Sequence, residues 1–240
     1  MVSKDRVLAL LPAYNEEKKI GQAVSRISRE VDSRVVVIDD GSKDQTRQEA
    51  EGCGAIVLSH GRRKGVGSAI RTGIEYALKN DYGITVILAG NNKDDPDEIP
   101  RLIDPIVTGE YDLVQGSRYL PGGRYGGMPL YRILATKYLH PFLFSCVTGR
   151  RITDSANGFR AMRMTLFLDE RINLHQDWLD HYELELYLLY KAITLGYRFK
   201  EVPVTKIYPP KEIGYTKMQP FIGWWSILKP IILLRLGIKK

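Results

Sequence analysis

The first half of the chain alternates between short apolar runs and longer segments whose apolar residues recur at helical spacing. The apolar runs are rich in β-branched residues and lie at residues 7–11, 35–38, 55–58, 85–88 and 113–114. The helical patterns between them cover residues 17–30, 44–51, 64–80 and 99–107. Because strands that alternate with helices through short connections form parallel sheets covered by helices, the sequence predicts an α/β fold with a mostly parallel sheet.

Polar segments follow the predicted strands. They are residues 12–16, 39–42, 60–67, 89–96 and 115–119, and they are rich in acidic, basic and glycine residues. Since ligands of such sheets bind beyond the carboxyl ends of the strands, these segments are the predicted binding site. Three also have a purely structural interpretation: a helix capped at Asn15, a turn before a capped helix at residues 39–46, and a solvated basic loop at residues 60–67.

The side chains of those three segments suit a nucleotide. The sequence Pro-Ala-Tyr-Asn-Glu at residues 12–16 offers a ring to stack on a base and a carboxylate for sugar hydroxyls. The adjacent carboxylates of Asp39 and Asp40 can accept hydrogen bonds from a base or a ribose. Residues 60–67 bring basic side chains and glycines to the start of a predicted helix, which favours a pyrophosphate.

Further motifs continue in the same order along the chain. The full set comprises residues 12–16, Ile-Asp-Asp-Gly-Ser-Lys-Asp-Gln-Thr at 38–46, Lys-Gly-Val-Gly-Ser-Ala at 64–69, Gly-Ser-Arg-Tyr at 116–119, Asp-Ser-Ala-Asn-Gly-Phe-Arg at 154–160 and Glu-Val-Pro-Val at 201–204. This set resembles family 2 glycosyltransferases of the GT-A fold, and among them the synthases of polyprenyl-phosphate sugars. The resemblance implies an inverting transfer of a sugar from a UDP or GDP sugar to a polyprenyl phosphate or another lipid-linked acceptor. A glycosyltransferase with a soluble saccharide acceptor and a nucleotide-sugar-binding protein without turnover are the alternatives.

The resemblance also implies roles for individual residues. Those that it assigns to substrate binding are Pro12, Tyr14, Glu16, Ile38, Asp40, Lys64, Gly90, Asn91, Arg118, Arg132 and Lys217. Those that it assigns to catalysis are Asn92, Asp94, Arg118 and Asp154. The two arginines are expected to face the acceptor phosphate or the donor pyrophosphate, and Lys217 to close over the diphosphate.

The metal site departs from the family pattern. Family members have Asp-x-Asp after the fourth strand and a Gln two residues later, whereas the aligned stretch here reads Gly90-Asn91-Asn92. Hard cations such as Mg²⁺ or Mn²⁺ prefer carboxylate oxygens. Three outcomes follow: Asn92 and Asp94 hold a divalent cation, Lys93 or the basic residues 62–64 neutralise the leaving diphosphate, or catalysis is impaired. The acidic residues 94–98 also suit the N-terminus of the next helix.

The need for a general base depends on the acceptor. A phosphate oxygen is anionic at neutral pH and can attack without one, but a hydroxyl needs a carboxylate or a histidine within hydrogen-bond reach. The candidates are Asp154, His181, Glu183 and Glu185, of which the last three are expected on one helix over residues 178–195.

The basic residues concentrate at the C-terminus. Residues 206–240 carry a net charge of +6 out of +7 for the chain, interleaved with tryptophans and aliphatic residues. We therefore expect a glycosyltransferase domain at residues 1–205 and a basic amphipathic segment at residues 206–240, divided or kinked at Pro230, that contacts the cytoplasmic face of a membrane. Residues 130–146 are a second candidate for that contact, and a helix packed on the domain is the alternative. No nucleic-acid-binding signature accompanies the charge, and no apolar run reaches about 18 residues.

Overall fold

A mixed β-sheet lies at the centre of the computed structural model, which describes residues 6–30, 34–209 and 222–239. Within these residues the sheet has seven strands in the order β3-β2-β1-β4-β7-β5-β8. The strands are β1 (Val7–Ala13), β2 (Arg34–Asp39), β3 (Ile56–Ser59), β4 (Ile84–Ile87), β5 (Leu113–Ser117), β7 (Arg160–Arg163) and β8 (Phe199–Pro203). A separate parallel pair joins β6 (Arg124–Gly126) to β9 (Thr205–Ile207).

Helices cover both faces of the sheet. They are α1 (Glu17–Glu30), α2 (Thr46–Gly52), α3 (Val66–Lys79), α4 (Ile99–Val107), α5 (Leu130–Leu134), α6 (His140–Thr148), α7 (Glu183–Thr194) and α8 (Ile222–Arg235). A π-helical turn, Ala135–Leu139, joins α5 to α6, and 3₁₀ turns occupy Pro96–Glu98 and Met164–Leu168. The predicted α/β class with a mostly parallel sheet is confirmed.

Side-chain alternation along β1 produces two hydrophobic cores. Leu8 and Leu10 pack in one core with residues of α3 and α7, while Ala9 and Leu11 pack in the other with residues of α1 and α4. Because β1 pairs in parallel with β2 on one side and β4 on the other, it is covered on both faces. This burial explains why its sequence is an uninterrupted apolar run rather than an alternating pattern.

The antiparallel strand β7 was not predicted. It lies between β4 and β5 and pairs with both, so the sheet is parallel everywhere except at this insertion. The sequence Arg-Ala-Met-Arg of β7 is not an apolar run. Its strand conformation therefore depends on the two neighbours that it joins rather than on its own pattern.

The C-terminal part is packed more closely against the domain than the sequence suggested. Strand β9 crosses the predicted boundary between residues 205 and 206. Helix α8 continues through Pro230, which was expected to kink or divide it, and its Ile227, Ile231 and Leu234 are buried in the core that contains α7. The predicted helix over residues 178–195 begins only at Glu183.

Candidate active site

A cavity of about 230 Å³ opens where β1, β2 and β4 end, as expected for a parallel sheet. Among the described residues, six basic side chains line it: Arg63, Lys93, Arg118, Arg132, Arg160 and Lys206. Three acidic side chains also line it: Glu16, Asp40 and Glu185. This excess of positive charge in a partly enclosed space favours an anionic ligand.

Asp40 follows β2 and fixes the loop that precedes α3. Its Oδ1 accepts a hydrogen bond from the backbone N–H of Lys64 (2.8 Å) and lies 2.9 Å from His60 Nδ1. Its Oδ2 accepts one from the backbone N–H of Gly65 (2.8 Å). The carboxylate thus holds the glycine-containing loop and the N-terminus of α3 at the edge of the cavity, while Asp40 itself still lines it.

The segment after β1 provides the wall expected to receive a nucleotide. Pro12, Tyr14 and Glu16, which the resemblance assigns to nucleotide binding, all line the cavity. The guanidinium of Arg63 lies 4.3 Å from the centre of the Tyr14 ring, a cation–π geometry. Glu16 is buried and forms an ion pair with Lys19, one turn further along the chain.

Alternate residues of the segment after β4 face the cavity. Ala89, Asn91 and Lys93 line it, whereas the intervening Gly90 and Asn92 do not. Asn92 has a left-handed backbone (φ 55°), and its side-chain amide donates to Gln22 on α1 (3.0 Å). The side chain of Asn92, a predicted metal ligand, is therefore directed towards α1 and not into the cavity.

Asp94 is occupied by other contacts. It is buried, its Oδ2 accepts from the backbone N–H of Ala89 (2.9 Å), and its Oδ1 accepts from Lys206 Nζ. A backbone bridge between Asp94 and Lys206 reinforces this ion pair. Neither Asn92 nor Asp94, the two predicted metal ligands, lines the cavity.

The residues around this segment do not fit the divalent cation that the resemblance implies. Among the described residues, no three His, Cys, Asp or Glu side chains are grouped so that they could hold a metal ion. The side-chain oxygens of Asn91 and Asn92 accept no hydrogen bond from those residues, but both are neutral amides. A Cβ at Gly90 would lie 3.0 Å from the Pro12 carbonyl oxygen, so an aspartate is crowded there. Hard cations prefer charged oxygen ligands, whereas these three positions offer none and the Asp94 carboxylate is paired with Lys206.

In place of a carboxylate, the segment after β4 brings the ammonium group of Lys93 to the cavity. Its side chain is only 7% exposed, and Nζ lies 4.3 Å from the centre of the Tyr208 ring. Burial, and then the positive charges of Lys206 and Arg132, lowers the pKa of Lys93 to about 7. An anion bound in the cavity would favour the charged form again.

Arg118 is held by a buried bidentate ion pair. Its Nε and Nη2 each donate to one oxygen of Asp154 at 2.7 Å, and its backbone N–H donates to the same carboxylate (3.0 Å). Burial disfavours the charged guanidinium, but the attraction and hydrogen bonds of Asp154 outweigh it and raise the pKa of Arg118. Arg118 lines the cavity and Asp154 does not. Asp154 therefore positions the arginine, with its own backbone N–H donating to Glu201 (2.9 Å).

The general-base candidates are dispersed. Glu185 lines the cavity, 3.9 Å from the guanidinium of Arg160, whereas Glu183 is buried beside it in the first turn of α7. His181 is exposed before the helix. Of these four candidates, only Glu185 lines the cavity.

The remaining predicted residues are divided between the cavity and other locations. Arg132 lines the cavity, with its guanidinium 5.2 Å from the Tyr208 ring. Ile38 is fully buried in the core next to α3, and Lys64 is exposed outside the cavity. Lys217 lies outside the described residues. Lys206 and Tyr208 also line the cavity, and no sequence motif indicated them; they follow β8 and reach the cavity through β9.

The chain belongs to glycosyl transferase family 2 and is a glycosyltransferase. It matches the family described as "Glycosyl transferase family 2" over residues 9–170. The polyprenol monophosphomannose synthase of Mycolicibacterium smegmatis is 30% identical over 220 residues, covering 89% of this chain and 81% of that protein. The dolichyl-phosphate hexose transferase of Haloferax volcanii is 31% identical over 230 residues, covering 95% of this chain and 93% of that protein.

Solved structures support the GT-A fold. The glucosyl-3-phosphoglycerate synthase of Mycobacterium tuberculosis, crystallised with Mn²⁺, UDP and glucosyl-3-phosphoglycerate, superimposes with a TM-score of 0.66. The match covers 98% of this chain and 81% of that one at 21% sequence identity. This similarity establishes the fold that the sequence predicted.

Proposed function

We propose that this glycosyltransferase transfers a sugar from a nucleotide-diphosphate sugar to a polyprenyl phosphate, with inversion at the anomeric carbon. The observation that carries the proposal is a cationic cavity whose wall continues into an exposed apolar helix. The cavity suits two phosphate-bearing substrates, and the apolar surface suits the hydrocarbon chain of one of them. The names of the relatives from M. smegmatis and H. volcanii, which are polyprenol and dolichyl-phosphate enzymes, agree with this substrate class.

The donor end of the cavity is formed by the segments after β1 and β2. Tyr14 offers a ring for the base, Glu16 is a carboxylate for sugar hydroxyls, and Asp40 holds the loop that starts α3. Backbone N–H groups at the start of a helix favour phosphate. This arrangement supports binding of the nucleoside there and of the diphosphate towards the basic side chains.

The acceptor end is formed by the helical segment from α5 to α6, which has two different faces. Arg132 and Thr136, one turn apart, line the cavity. On the outer face the large apolar side chains are exposed, namely Leu130, Tyr131, Leu134, Tyr138, Leu139 and Phe142. One segment can thus present a cation to the phosphates in the cavity and apolar side chains to the prenyl chain of the acceptor.

The reaction needs no general base if the acceptor is a phosphate. A phosphate oxygen attacks the anomeric carbon, the bond from that carbon to the β-phosphate oxygen breaks, and the nucleoside diphosphate leaves with the bonding electrons. No proton has to be removed from the nucleophile. The residues of the chain then bind both phosphates, orient them for in-line attack and compensate the charge that develops on the leaving diphosphate.

The assay uses the full chain with radiolabelled UDP and GDP sugars and a polyprenyl phosphate in detergent. We expect label in the organic phase with at least one donor, and none when the free polyprenol replaces its phosphate, because the phosphate oxygen is the nucleophile. Label that appears only in a water-soluble saccharide would support the soluble-acceptor alternative. Nucleotide binding without transfer to either acceptor would contradict both.

We also propose that the outer face of residues 130–142 and the exposed side of α8 contact the membrane. Trp225, Ile232 and Leu236 of α8 and the turn after it are exposed, on the side opposite the buried Ile227 and Leu234. Basic residues border both surfaces, among them Arg150, Arg151 and Lys239, which suits anionic headgroups. Within the described residues, no helix is both long and apolar enough to cross a bilayer.

The proposed membrane contact can be tested at Leu134 and Phe142, which are both exposed; Phe142 is 66% exposed. We expect the double change Leu134→Ser with Phe142→Ser to weaken binding to anionic vesicles by roughly tenfold or more, since each buried large apolar side chain contributes about 1.5–3 kcal/mol. Co-sedimentation with vesicles measures the change. Leu168→Ser is the matched control, because Leu168 is 61% exposed but lies in a 3₁₀ turn outside this surface. Equal losses in both variants would contradict the assignment.

A further inference from the structure

We infer that Lys93, together with Arg132 and Lys206, compensates the charge of the donor diphosphate at the motif to which the family resemblance assigns a divalent cation. The inference rests on the proposed function and adds to it a metal-independent mode of leaving-group stabilisation. It follows from the charges that the chain itself brings to the cavity.

The segment after β4 presents no carboxylate to the cavity. Its cavity-facing residues are Ala89, Asn91 and Lys93. Counted along these alternate positions, the family pattern of Asp-x-Asp followed two residues later by Gln falls on an alanine, an asparagine and a lysine. Both carboxylates are therefore missing from the cavity-facing positions, and a cation stands where the pattern has a neutral amide.

The Lys93 ammonium is held in this position by its surroundings. Its backbone carbonyl accepts a hydrogen bond from the N–H of Ile207 (3.0 Å), so β9 fixes the segment. The Tyr208 ring lies 4.3 Å from Nζ. Within the described part of the chain, Lys93 forms no ion pair with a carboxylate, so its charge is available to a bound anion.

Two further cations, Arg132 and Lys206, line the cavity near the Lys93 ammonium group. The guanidinium of Arg132 lies 5.2 Å from the Tyr208 ring that Lys93 also contacts. Lys206 lines the cavity while its Nζ contacts Asp94 and Asn157 Oδ1 (3.2 Å). The carboxylate of Asp94 is thereby used to hold a lysine, which makes it an unsuitable metal ligand and a suitable support for a cationic site.

The chemical step agrees with this charge distribution. When the bond from the anomeric carbon to the β-phosphate oxygen breaks, the bonding electrons stay on the diphosphate, which gains one negative charge. The acceptor phosphate loses one negative charge as its oxygen forms the new bond. Fixed cations beside the diphosphate stabilise the state in which that charge develops, and they need no reorganisation to do so.

The experiment compares wild type, Lys93→Met and Lys93→Arg, each measured in the presence and in the absence of EDTA. Calorimetry measures affinity for UDP and UMP, or for GDP and GMP, and the transfer assay measures kcat. For wild type we expect diphosphate affinity and kcat to change less than about threefold on adding EDTA. For Lys93→Met we expect at least about tenfold weaker diphosphate affinity, unchanged monophosphate affinity, and kcat lower by about 100-fold. Lys93→Arg should retain most of the affinity.

Lys79→Met is the matched control, because this lysine is exposed in the last turn of α3 and should behave as wild type. Circular dichroism verifies that each variant is folded. Strict dependence of wild-type transfer on Mn²⁺ or Mg²⁺, or Lys93→Met binding the diphosphate as wild type does, would overturn the inference while leaving the proposed function intact. No transfer and no nucleotide binding by the wild type would instead refute the proposed function.

Discussion

Replacing Asp154 with alanine should lower the free energy of unfolding by about 3–5 kcal/mol, because it leaves a buried guanidinium without its counter-charge. Asp154 is fully buried and Arg118 is 2% exposed, so water cannot take over the lost contacts. Three donors of Arg118 would lose their acceptor at once. Urea denaturation measures the change, which is a large part of the total stability of an ordinary domain.

The exposed ion pair of Arg47 and Glu51 on α2 provides the control. Glu51→Gln should change the unfolding midpoint little, since solvent screens that pair. An equally small effect of Asp154→Ala would contradict the claim that the Arg118–Asp154 pair organises this part of the fold.

Measurements of transfer activity distinguish the role of Arg118 from that of Asp154. In Arg118→Met the loss of the cavity-lining cation should reduce kcat by about 10²–10³-fold, the range for removal of one preorganised electrostatic contact. The double variant Arg118→Met with Asp154→Asn removes both charges and keeps an acceptor for the backbone N–H of residue 118. We expect it to regain stability relative to either charge-unbalanced variant without regaining activity. Recovery of activity would exclude the guanidinium from the reaction.

The strand ends were predictable because they depend on local patterns. The apolar runs of β1, β2 and β4 are buried on both faces, and the polar residues that follow each run lie at one edge of a parallel sheet. Pro12, Tyr14, Glu16 and Asp40 were therefore located from the sequence, and they line the cavity. Short-range order and a parallel topology suffice for this part of the site.

The side-chain direction after β4 was not predictable. The sequence alignment favoured Gly90 and Asn92, whereas the cavity is lined by Asn91 and Lys93. In extended backbone a shift of one residue moves every side chain to the other face. The left-handed backbone at Asn92 adds a local turn that no pattern of apolar residues records.

Contacts distant in sequence were also missed. The ion pair of Asp94 and Lys206 joins residues 112 positions apart, and Arg118 and Asp154 are 36 apart. Three of these four residues were predicted as individual site residues, but no sequence pattern indicated that they form pairs. The buried face of α8 is a similar case, because a helix with apolar residues on more than one side can bind a membrane or the domain.

Gly67→Ala should lower the free energy of unfolding by about 1–3 kcal/mol or more. The added methyl group would overlap backbone atoms of residues 179–181, which can move away only if that segment shifts. A Cβ at Gly67 would lie 2.1 Å from the carbonyl oxygen of Leu179 and 2.5 Å from that of His181. The next residue, Ser68, donates its backbone N–H to the carbonyl oxygen of Asp180 (3.1 Å), so the first turn of α3 is fixed against this segment. Thermal or urea denaturation measures the loss.

The same substitution at Gly52 is the control, because nothing lies within 4 Å of a Cβ there. Gly52→Ala, at the end of α2, should leave stability unchanged or raise it by at most about 1 kcal/mol.

The two substitutions should also differ in their effect on nucleotide binding. Tyr182, directly after the segment that Gly67 contacts, lines the cavity, as does Val66 beside Gly67. Moving that segment away from α3 should widen the donor end, so Gly67→Ala should weaken nucleotide binding as well as stability, and Gly52→Ala should do neither. If Gly67→Ala were as stable and as active as wild type, the close packing of α3 on residues 179–181 would not be needed to form the site.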